Sequence, residues 1–296
     1  MSSQRKIINI ACAQSFFGHH LVDLSDIKPG FRLLDVGTGD GACLIPAAKK
    51  TGEHGKAIGI DYNDRAVKSA NEKLEKCGIP NAAAYKMDAR QMSYPDSDFD
   101  YALCGFVGFG SIYDYEKKEY RPNKSNKIME EIHRVLKLGG GAGFSNWRNQ
   151  ECLETLRELT VKYLEESGKS PLRSIGTGYS KEDEEGIKRL MTDAGFTDIC
   201  IHVEDIDVIY KDDDEWFYYM RRSGRNIIYN AVGEDYSAHK QLKKAILPLL
   251  DSHRRDNTLV FTKSVIYSYG TKTTDSPHKV DGKQTIVLTL ASEDHR

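Results

Sequence analysis

The stretch RLLDVGTGDGA occupies residues 32–42 and joins an apolar run to an acid and then to glycines at every second position. Leu33 and Leu34 are typical of the end of a buried parallel strand, and residues 42–50 are typical of a helix, so the glycines lie in a strand-to-helix turn. Glycine tolerates positive φ there and lets the backbone approach a ligand closely. The stretch therefore predicts a loop that binds a nucleotide-like cofactor.

The spacing of the glycines distinguishes this loop from one that binds a dinucleotide. A dinucleotide loop reads G-x-G-x-x-G and places a pyrophosphate on the helix N-terminus, whereas residues 35–41 read D-x-G-x-G-x-G. The leading acid and the shorter last interval suit a ligand that carries an ammonium or a sulfonium. In this the chain resembles the class I S-adenosylmethionine (AdoMet) dependent methyltransferases, small-molecule type. The resemblance implies that AdoMet is bound by the loop residues Asp35, Gly37, Thr38, Gly39 and Gly41.

A second acid follows at the end of the next predicted strand. Residues 55–62, GKAIGIDY, read as a short buried strand that ends at Asp61, before a helix-like stretch. An acid at this place accepts hydrogen bonds from two ribose hydroxyls. The alternative is that Asp61 caps the next helix, a role that Asn63 or Asp64 could fill instead. The resemblance implies that Asp61 binds the ribose of AdoMet, with Tyr62 beside it in the cofactor site.

The next two strand ends complete the predicted cofactor site. Asp88 follows a strand-like run at 85–87, where the family places an acid that accepts from the adenine amino group, and the Ala89 amide donates to the ring. The alternative for Asp88 is a turn acid. Residues 98–105, DFDYALCG, resemble the family's fourth strand, whose end places Cys104 near the methionine part of AdoMet. The alternative for Cys104 is a buried small hydrophobic residue.

Strand and helix signals alternate over residues 31–146 and predict a doubly wound α/β sheet. Further strand-like stretches lie at 198–210 and 258–270. The resemblance implies a Rossmann-like methyltransferase fold with a seven-stranded, mostly parallel sheet whose last strand is antiparallel. Two helical stretches at 212–230 and 235–254 separate the last two strands, and we interpret them as a helical cap inserted over the acceptor pocket.

These patterns divide the chain into five segments. They are an N-terminal helical lid segment at 1–26, an AdoMet-binding core at 27–211, the helical cap insertion at 212–256, a final core strand at 257–270 and a C-terminal extension at 271–296. Within the extension, QTIVLTL at 284–290 alternates well enough to form an extra strand, and a disordered tail is the alternative.

Methyl transfer from a sulfonium requires few catalytic groups from the protein, because the sulfonium already activates the methyl group. The resemblance implies an in-line displacement in which the chain aligns acceptor, methyl carbon and sulfur, and positioning can supply about 7 to 11 kcal/mol of a barrier. A general base is needed only for an acceptor that arrives protonated. His19 and His20, on a predicted N-terminal helix, are the candidate catalytic residues. The alternative is a surface or helix-end pair of histidines.

Two groups of side chains are candidates to contact the acceptor. Loops at strand C-terminal ends are where α/β proteins build sites, and the loop after the fourth strand holds Phe106, Phe109, Tyr113, Tyr115 and Tyr120. The first cap helix carries residues that suit a carboxylate or phosphate on a small acceptor, unless they are core aromatics and solvated arginines: Trp216, Tyr218, Tyr219, Arg221, Arg222 and Arg225. Gly105 stands where the methyltransferases of DNA adenine and of glutamine have NPPY or DPPY, which argues against those acceptors.

The composition disfavours several classes of partner. Lys and Arg number 42 against 44 Asp and Glu, a formal net charge of -2, so nucleic acid is not expected as a substrate. No apolar run approaches the roughly 20 residues that a membrane span needs, and the N-terminus lacks a convincing signal peptide. The 6 cysteines show no metal-binding spacing and fit reduced thiols. We therefore expect a cytoplasmic protein without a metal ion.

We conclude from the sequence that the chain is a class I AdoMet-dependent methyltransferase that methylates a small molecule and releases S-adenosylhomocysteine. The resemblance is closest to the group that includes the quinone-biosynthesis and sterol methyltransferases. The alternatives are a protein or RNA methyltransferase and an AdoMet-binding protein without turnover. A homodimer is left open.

Overall fold

The computed structural model describes residues 5–109, 112–114, 119–121, 126–176 and 183–274. The strands are β1 (Lys6–Asn9), β2 (Arg32–Val36), β3 (Lys56–Asp61), β4 (Ala82–Lys86), β5 (Phe99–Gly105), β6 (Ile112–Asp114), β7 (Glu119–Arg121), β8 (Leu136–Gln150), β9 (Phe196–Tyr210), β10 (Arg254–Arg255) and β11 (Thr258–Lys272). The helices are α1 (Ala13–Leu24), α2 (Leu44–Thr51), α3 (Asp64–Lys76), α4 (Lys127–Val135), α5 (Glu151–Glu166), α6 (Glu184–Asp193), α7 (Asp213–Ser223), α8 (Arg225–Val232) and α9 (Tyr236–Ile246). Residues 275–296, with the predicted strand at 284–290, lie outside the described residues.

The main sheet has the order β1-β9-β11-β8-β5-β2-β3-β4, with β10 paired to β11. Strands β2 to β5 and β8 pair in parallel, whereas β11 runs antiparallel to both β8 and β9. This confirms the doubly wound fold with an antiparallel last strand. The short strands β6 and β7 form a separate antiparallel ribbon.

Within the described residues the sheet has nine strands, two more than the seven expected, and the two additional strands are β10 and β1. The strand β1 is present because the N-terminal segment is not helical throughout. Before α1, strand β1 pairs in parallel with β9 at the edge of the sheet. Ion pairs fix it there, since Lys6 Nζ lies 3.1 Å from Glu204 Oε2 and Arg5 lies within 3.7 Å of Asp207 Oδ1. The N-terminal segment is thus tied to the core by a strand as well as by a helix.

Helices cover both faces of the sheet. Buried apolar side chains of α1, α2, α3, α5 and α7 to α9 pack on one face, and those of α4 and α6 pack on the other. Among the described residues no helix has the length and apolar character that crossing a membrane requires.

The segment between β9 and β11 forms three helices and a 3₁₀ turn, where the sequence predicts two helices. The break between α7 and α8 falls at Gly224, where a Cβ would lie 2.5 Å from Leu156 Cδ2 of α5. Trp216 of α7 is fully buried and stacks on Phe261 of β11 with ring centroids 5.8 Å apart. Most of this segment therefore belongs to the core of that face, and only part of α7 reaches the cavity described below.

Candidate active site

The glycine loop lies between β2 and α2 and is built from left-handed backbone. Gly37, Gly39 and Gly41 have φ of 68°, 55° and 93°, a conformation that side chains with a Cβ rarely adopt. The Thr38 amide donates to Ile60 O of β3 at 2.9 Å. The loop is thus tied to the neighbouring strand and presents bare backbone at the carboxyl edge of the sheet.

Asp35, the acid that leads the loop, is buried beneath it. Its side chain accepts a 2.6 Å hydrogen bond from Thr38 Oγ1. Burial raises the pKa of Asp35 from its usual 3.8 to about 7, although the Thr38 bond opposes the shift. Near neutral pH this carboxyl is therefore divided between its protonated and ionised forms.

Asp61 ends β3 and braces the glycine loop from the side. Its Oδ2 accepts from the Gly39 amide at 3.0 Å and its Oδ1 from the Asn63 amide at 2.9 Å. An ionised carboxylate has about four acceptor positions, so both oxygens can accept further bonds. Asn63 itself caps α3 by accepting from the Arg65 amide at 3.0 Å, so capping leaves the Asp61 carboxylate available. Its neighbour Tyr62 is 78% exposed.

Asp88 stands two residues beyond β4 and is held by Arg90. The guanidinium donates to its carboxylate through Nε at 3.0 Å and Nη2 at 2.6 Å. These bonds lower the pKa of Asp88 to about 2. Because β2, β3 and β4 pair in parallel, Asp35, Asp61 and Asp88 lie in that order along one edge of the sheet. Ala89, next to Asp88, is partly buried.

A cavity of about 370 Å³ opens beside the glycine loop. Its walls come from the loop and from residues of α1, β8, β9, α7 and β11, together with Gly105 and Phe106 after β5. Sites for small ligands usually have roughly 300 to 1,000 Å³. Asp35 lines this cavity as well, so the cavity directly adjoins the predicted cofactor loop.

An aromatic cluster forms one wall of the cavity. The rings of Phe106 and Trp147 stack with centroids 4.1 Å apart, and Phe17 of α1 meets both of them edge-on, at 5.7 and 5.2 Å. Phe106 adopts φ of 56°, which is uncommon for a bulky residue and marks a constrained position. Such outliers concentrate at ligand sites.

The other aromatic residues of the predicted acceptor wall take different positions. Phe109 is 2% exposed and packs edge-on against Phe144, in the core of the opposite face. The side chains of Tyr113, Tyr115 and Tyr120 lie outside the described residues. Of the predicted set, Phe106 is the one that the structure places in the cavity wall.

The two histidines point away from the cavity. His19 is exposed and its Nδ1 lies 2.8 Å from Ser15 O of its own helix. His20 pairs with Glu204 Oε2 at 2.9 Å. The cavity is instead lined by Phe17 and Gly18 of the same helix. The structure therefore brings α1 to the site but brings neither histidine to it.

The arginines of the cap segment also lie elsewhere. Arg222 donates to Tyr218 Oη at 2.8 Å, while Arg221 and Arg225 lie over the rings of Tyr236 and Tyr229 at 5.7 and 4.7 Å. Tyr219 does line the cavity. Cys104, predicted to be near the methionine part of the cofactor, has a fully buried side chain on the opposite face.

Sequence reasoning missed Trp147, Tyr210 and Lys263, all of which line the cavity. Lys263 had a readable signal, because it is the one charge in the apolar run LVFTKSVIY at 259–267. No group of three or more His, Cys, Asp or Glu side chains able to hold a metal ion exists within the part of the chain that the structure describes.

Two curated proteins with similar sequences are named as methyltransferases. Aklanonic acid methyltransferase DauC of Streptomyces sp. (strain C5) is 38% identical over 89 residues, 30% of this chain and 40% of that protein. Demethylmenaquinone methyltransferase of Geobacillus stearothermophilus is 30% identical over 115 residues, 39% of this chain and 44% of that protein. The chain therefore spans less than half the length of these two curated relatives.

A solved structure shares the fold at low sequence identity. The crystal structure of a putative methyltransferase from Bacillus halodurans C-125 has a TM-score of 0.54 at 16% identity, over 87% of this chain and 99% of that one. The family model described as a methyltransferase domain matches residues 27–207, from before β2 into β9. Because that match covers more than half of the sequence, the chain belongs to the methyltransferase domain family.

Proposed function

We propose that the chain is a class I AdoMet-dependent methyltransferase that transfers a methyl group to a small-molecule acceptor and releases S-adenosylhomocysteine. The observation that carries the proposal is the row of Asp35, Asp61 and Asp88 along the carboxyl edge of β2, β3 and β4, beside a glycine loop in left-handed conformation. The family match and the names of the two curated relatives support it.

The residues at this edge fit AdoMet in their chemistry. The loop of Gly37, Gly39 and Gly41 allows close approach of a ligand to the backbone. Asp61 would hold the ribose hydroxyls with its remaining acceptor positions, and Asp88 with the Ala89 amide would hold the adenine. The Cys104 thiol is buried in the core. Cys104 would therefore contribute to the cofactor site only through its backbone, at the end of β5.

The chain's own contribution to the reaction is positioning and exclusion of water. Bound AdoMet would supply a methyl group that its sulfonium already activates for transfer. The glycine loop and Asp61 orient the cofactor, and Phe17, Phe106 and Trp147 give the acceptor side an apolar wall. Pre-orientation of reactants can supply about 7 to 11 kcal/mol of a barrier through avoided entropy loss and solvent reorganisation.

No step of this proposal depends on His19 or His20. An acceptor that arrives ionised needs no general base, and neither histidine lines the cavity. If an acceptor proton has to be removed, solvent or a side chain nearer to the cavity would have to receive it.

The experiment that tests the function is transfer of labelled methyl groups. Purified protein is incubated with methyl-labelled AdoMet and a mixture of small metabolites, and in parallel with total protein and with RNA. Label in small molecules alone supports the proposal. Label only in protein or RNA would favour a macromolecular acceptor, and AdoMet binding without any transfer would favour a binding protein without turnover.

We propose a cytoplasmic location for the protein. No disulfide joins any of the 6 cysteines, all of which lie in the described residues, and cysteines outside disulfides suit a reducing compartment. A homodimer, also expected as an option from the sequence, is tested by light scattering of the purified chain.

A further inference from the structure

One positively charged side chain is buried in the wall of the cavity. Lys263 of β11 is 8% exposed and lines the same cavity as the glycine loop. Its Nζ lies 3.2 Å from Gln150 Oε1 and 4.9 Å from the centroid of the Trp147 ring. An amide and an aromatic face stabilise a cation, but neither carries a negative charge.

No carboxylate of the described residues neutralises Lys263. No carboxylate oxygen of the described side chains lies within 4.0 Å of the Lys263 ammonium. Asp35 is the one acid among the described residues that line the cavity, and it lies at the glycine loop instead. A buried charge without a counter-charge lowers the free energy of unfolding. The presence of the Lys263 ammonium in this wall therefore needs an explanation.

The buried Lys272 of the same strand shows what a structural lysine looks like. It is 2% exposed, and its Nζ donates to the carbonyl oxygens of Arg134 and Leu136 at 3.3 and 2.9 Å. These carbonyls lie at the C-terminal end of α4, where the helix dipole is negative. Lys272 therefore has an electrostatic partner within the fold, and Lys263 has no equivalent one.

The surroundings of Lys263 are suited to a flat molecule with an anionic oxygen. Tyr210 also lines the cavity, and its hydroxyl is buried without an oxygen or nitrogen partner among the described residues. Burial and the neighbouring Cys152 thiol, a hydrogen-bond partner of the hydroxyl, keep the pKa of Tyr210 well above the usual value, so the hydroxyl stays protonated. The stacked rings of Phe106 and Trp147 offer an aromatic surface beside these two donors.

We propose that Lys263 binds an anionic oxygen of the methyl acceptor, a carboxylate or an ionised phenol or enol carried on a planar ring that lies against Phe106 and Trp147. The inference rests on the proposed function and names its substrate class. It assigns Lys263 a role in acceptor binding and none in cofactor binding.

The test compares two probes on the same planar ring without a hydroxyl group, 2-naphthoate and its amide, 2-naphthamide, which is neutral at pH 7.5. Their dissociation constants are measured by calorimetry at pH 7.5 on the full chain loaded with S-adenosylhomocysteine. We expect the acid to bind about tenfold tighter than the amide or better, as a charge-assisted hydrogen bond provides. Lys263→Met should abolish this preference and Lys263→Arg should keep it. Lys68→Met, an 80% exposed position on α3, is the control and should bind as the wild type does.

The outcomes separate this inference from the proposed function. AdoMet and S-adenosylhomocysteine affinities are measured first and should be the same in all four proteins. Absence of cofactor binding in the wild type would contradict the proposed function itself. With the cofactor bound, equal affinity for acid and amide in the wild type, binding of neither probe, or an acid preference that survives Lys263→Met would each overturn the inference alone. The comparison of acid and amide affinities in the wild type tests the inference even if a variant fails to fold.

Discussion

At the scale of single residues, the Asp61 carboxylate joins the glycine loop to the proposed ribose site. On the proposed function, Asp61→Ala would remove two charge-assisted hydrogen bonds to the ribose, each worth about 1.5 to 3 kcal/mol. We expect AdoMet affinity to fall by at least about 100-fold in calorimetry while the protein stays folded. Glu72→Ala, on the exposed face of α3, is the control and should bind normally. Unchanged affinity in Asp61→Ala would remove this residue from the site.

Asp35 predicts how stability depends on pH. Its pKa is about 7 in the folded chain and near its usual 3.8 when unfolded, so between these values the folded state holds the extra proton. The contribution of Asp35 to the free energy of unfolding is therefore fully present below pH 3.8 and is lost as the pH rises through about 7.

Asp35→Asn isolates that contribution, since an amide keeps an oxygen for Thr38 Oγ1 and does not ionise. From pH 5 to pH 8 the wild type should lose on the order of 2 to 3 kcal/mol of unfolding free energy relative to Asp35→Asn. Urea unfolding at the two pH values measures this. Parallel pH profiles of the two proteins would mean that Asp35 titrates normally in the folded chain.

At the scale of elements, the contact between α1 and the start of α2 depends on Gly18. A Cβ at Gly18 would lie 2.4 Å from Ala42 O and 2.5 Å from Ala42 C, and these backbone atoms cannot move away cheaply. Alanine gains about 1 kcal/mol in helix propensity, whereas overpacking costs typically 1 to 3 kcal/mol. The steric cost should therefore win.

We expect Gly18→Ala to destabilise the protein and to weaken AdoMet binding, because α1 would be displaced from the loop that precedes α2. Urea unfolding and calorimetry measure the two effects. Ser15→Ala on the exposed side of α1 is the matched control and should change both only slightly. A stabilised Gly18→Ala protein with normal affinity would show that α1 does not hold the cofactor loop in place.

Elements whose signals are local could be predicted from the sequence, and those that depend on tertiary contacts could not. The alternation of apolar strands and helices over β2 to β5 follows from patterns among residues close together in the sequence, and so does the glycine loop. In contrast, β1 is four residues long with exposed Ile7, and its position depends on ion pairs to β9. The close packing at Gly224, where a Cβ would lie 2.5 Å from Leu156 Cδ2, likewise depends on a residue of α5 that is far away in sequence.

The candidate site divides in the same way. Asp35, Asp61 and Asp88 each lie at or just beyond the C-terminal end of a strand, and parallel pairing brings these ends together. The edge that the three acids share was therefore predictable. Which face of α1 meets the loop was not, because helix periodicity shows that Phe17 and His19 point in opposite directions but not which of them faces the core. Lys263 was visible as a lone charge in an apolar strand, but its place beside Trp147 comes from pairing between β11 and β8.

At the scale of the whole molecule, the cavity gathers segments that are far apart in sequence. α1, the glycine loop, Phe106, Trp147, α7 and β11 all contribute to its walls. A ligand that binds there should stabilise the folded chain by about 2.7 kcal/mol at 100 times its dissociation constant. This gain in stability should appear in every segment that lines the cavity, rather than in the glycine loop alone.

Hydrogen exchange followed by mass spectrometry can map this. We expect S-adenosylhomocysteine to slow exchange in the glycine loop and in α1, and addition of an acceptor-like probe such as 1-hydroxy-2-naphthoate to extend protection to α7 and the start of β11. The helices α4 and α6 pack on the opposite face and supply the internal control, with little change expected. Protection limited to the glycine loop and the ends of β3 and β4, with none in α1 or α7, would mean that cofactor and acceptor do not share this cavity. Such a pattern would confine the site to the three acids and would separate the N-terminal segment from the reaction.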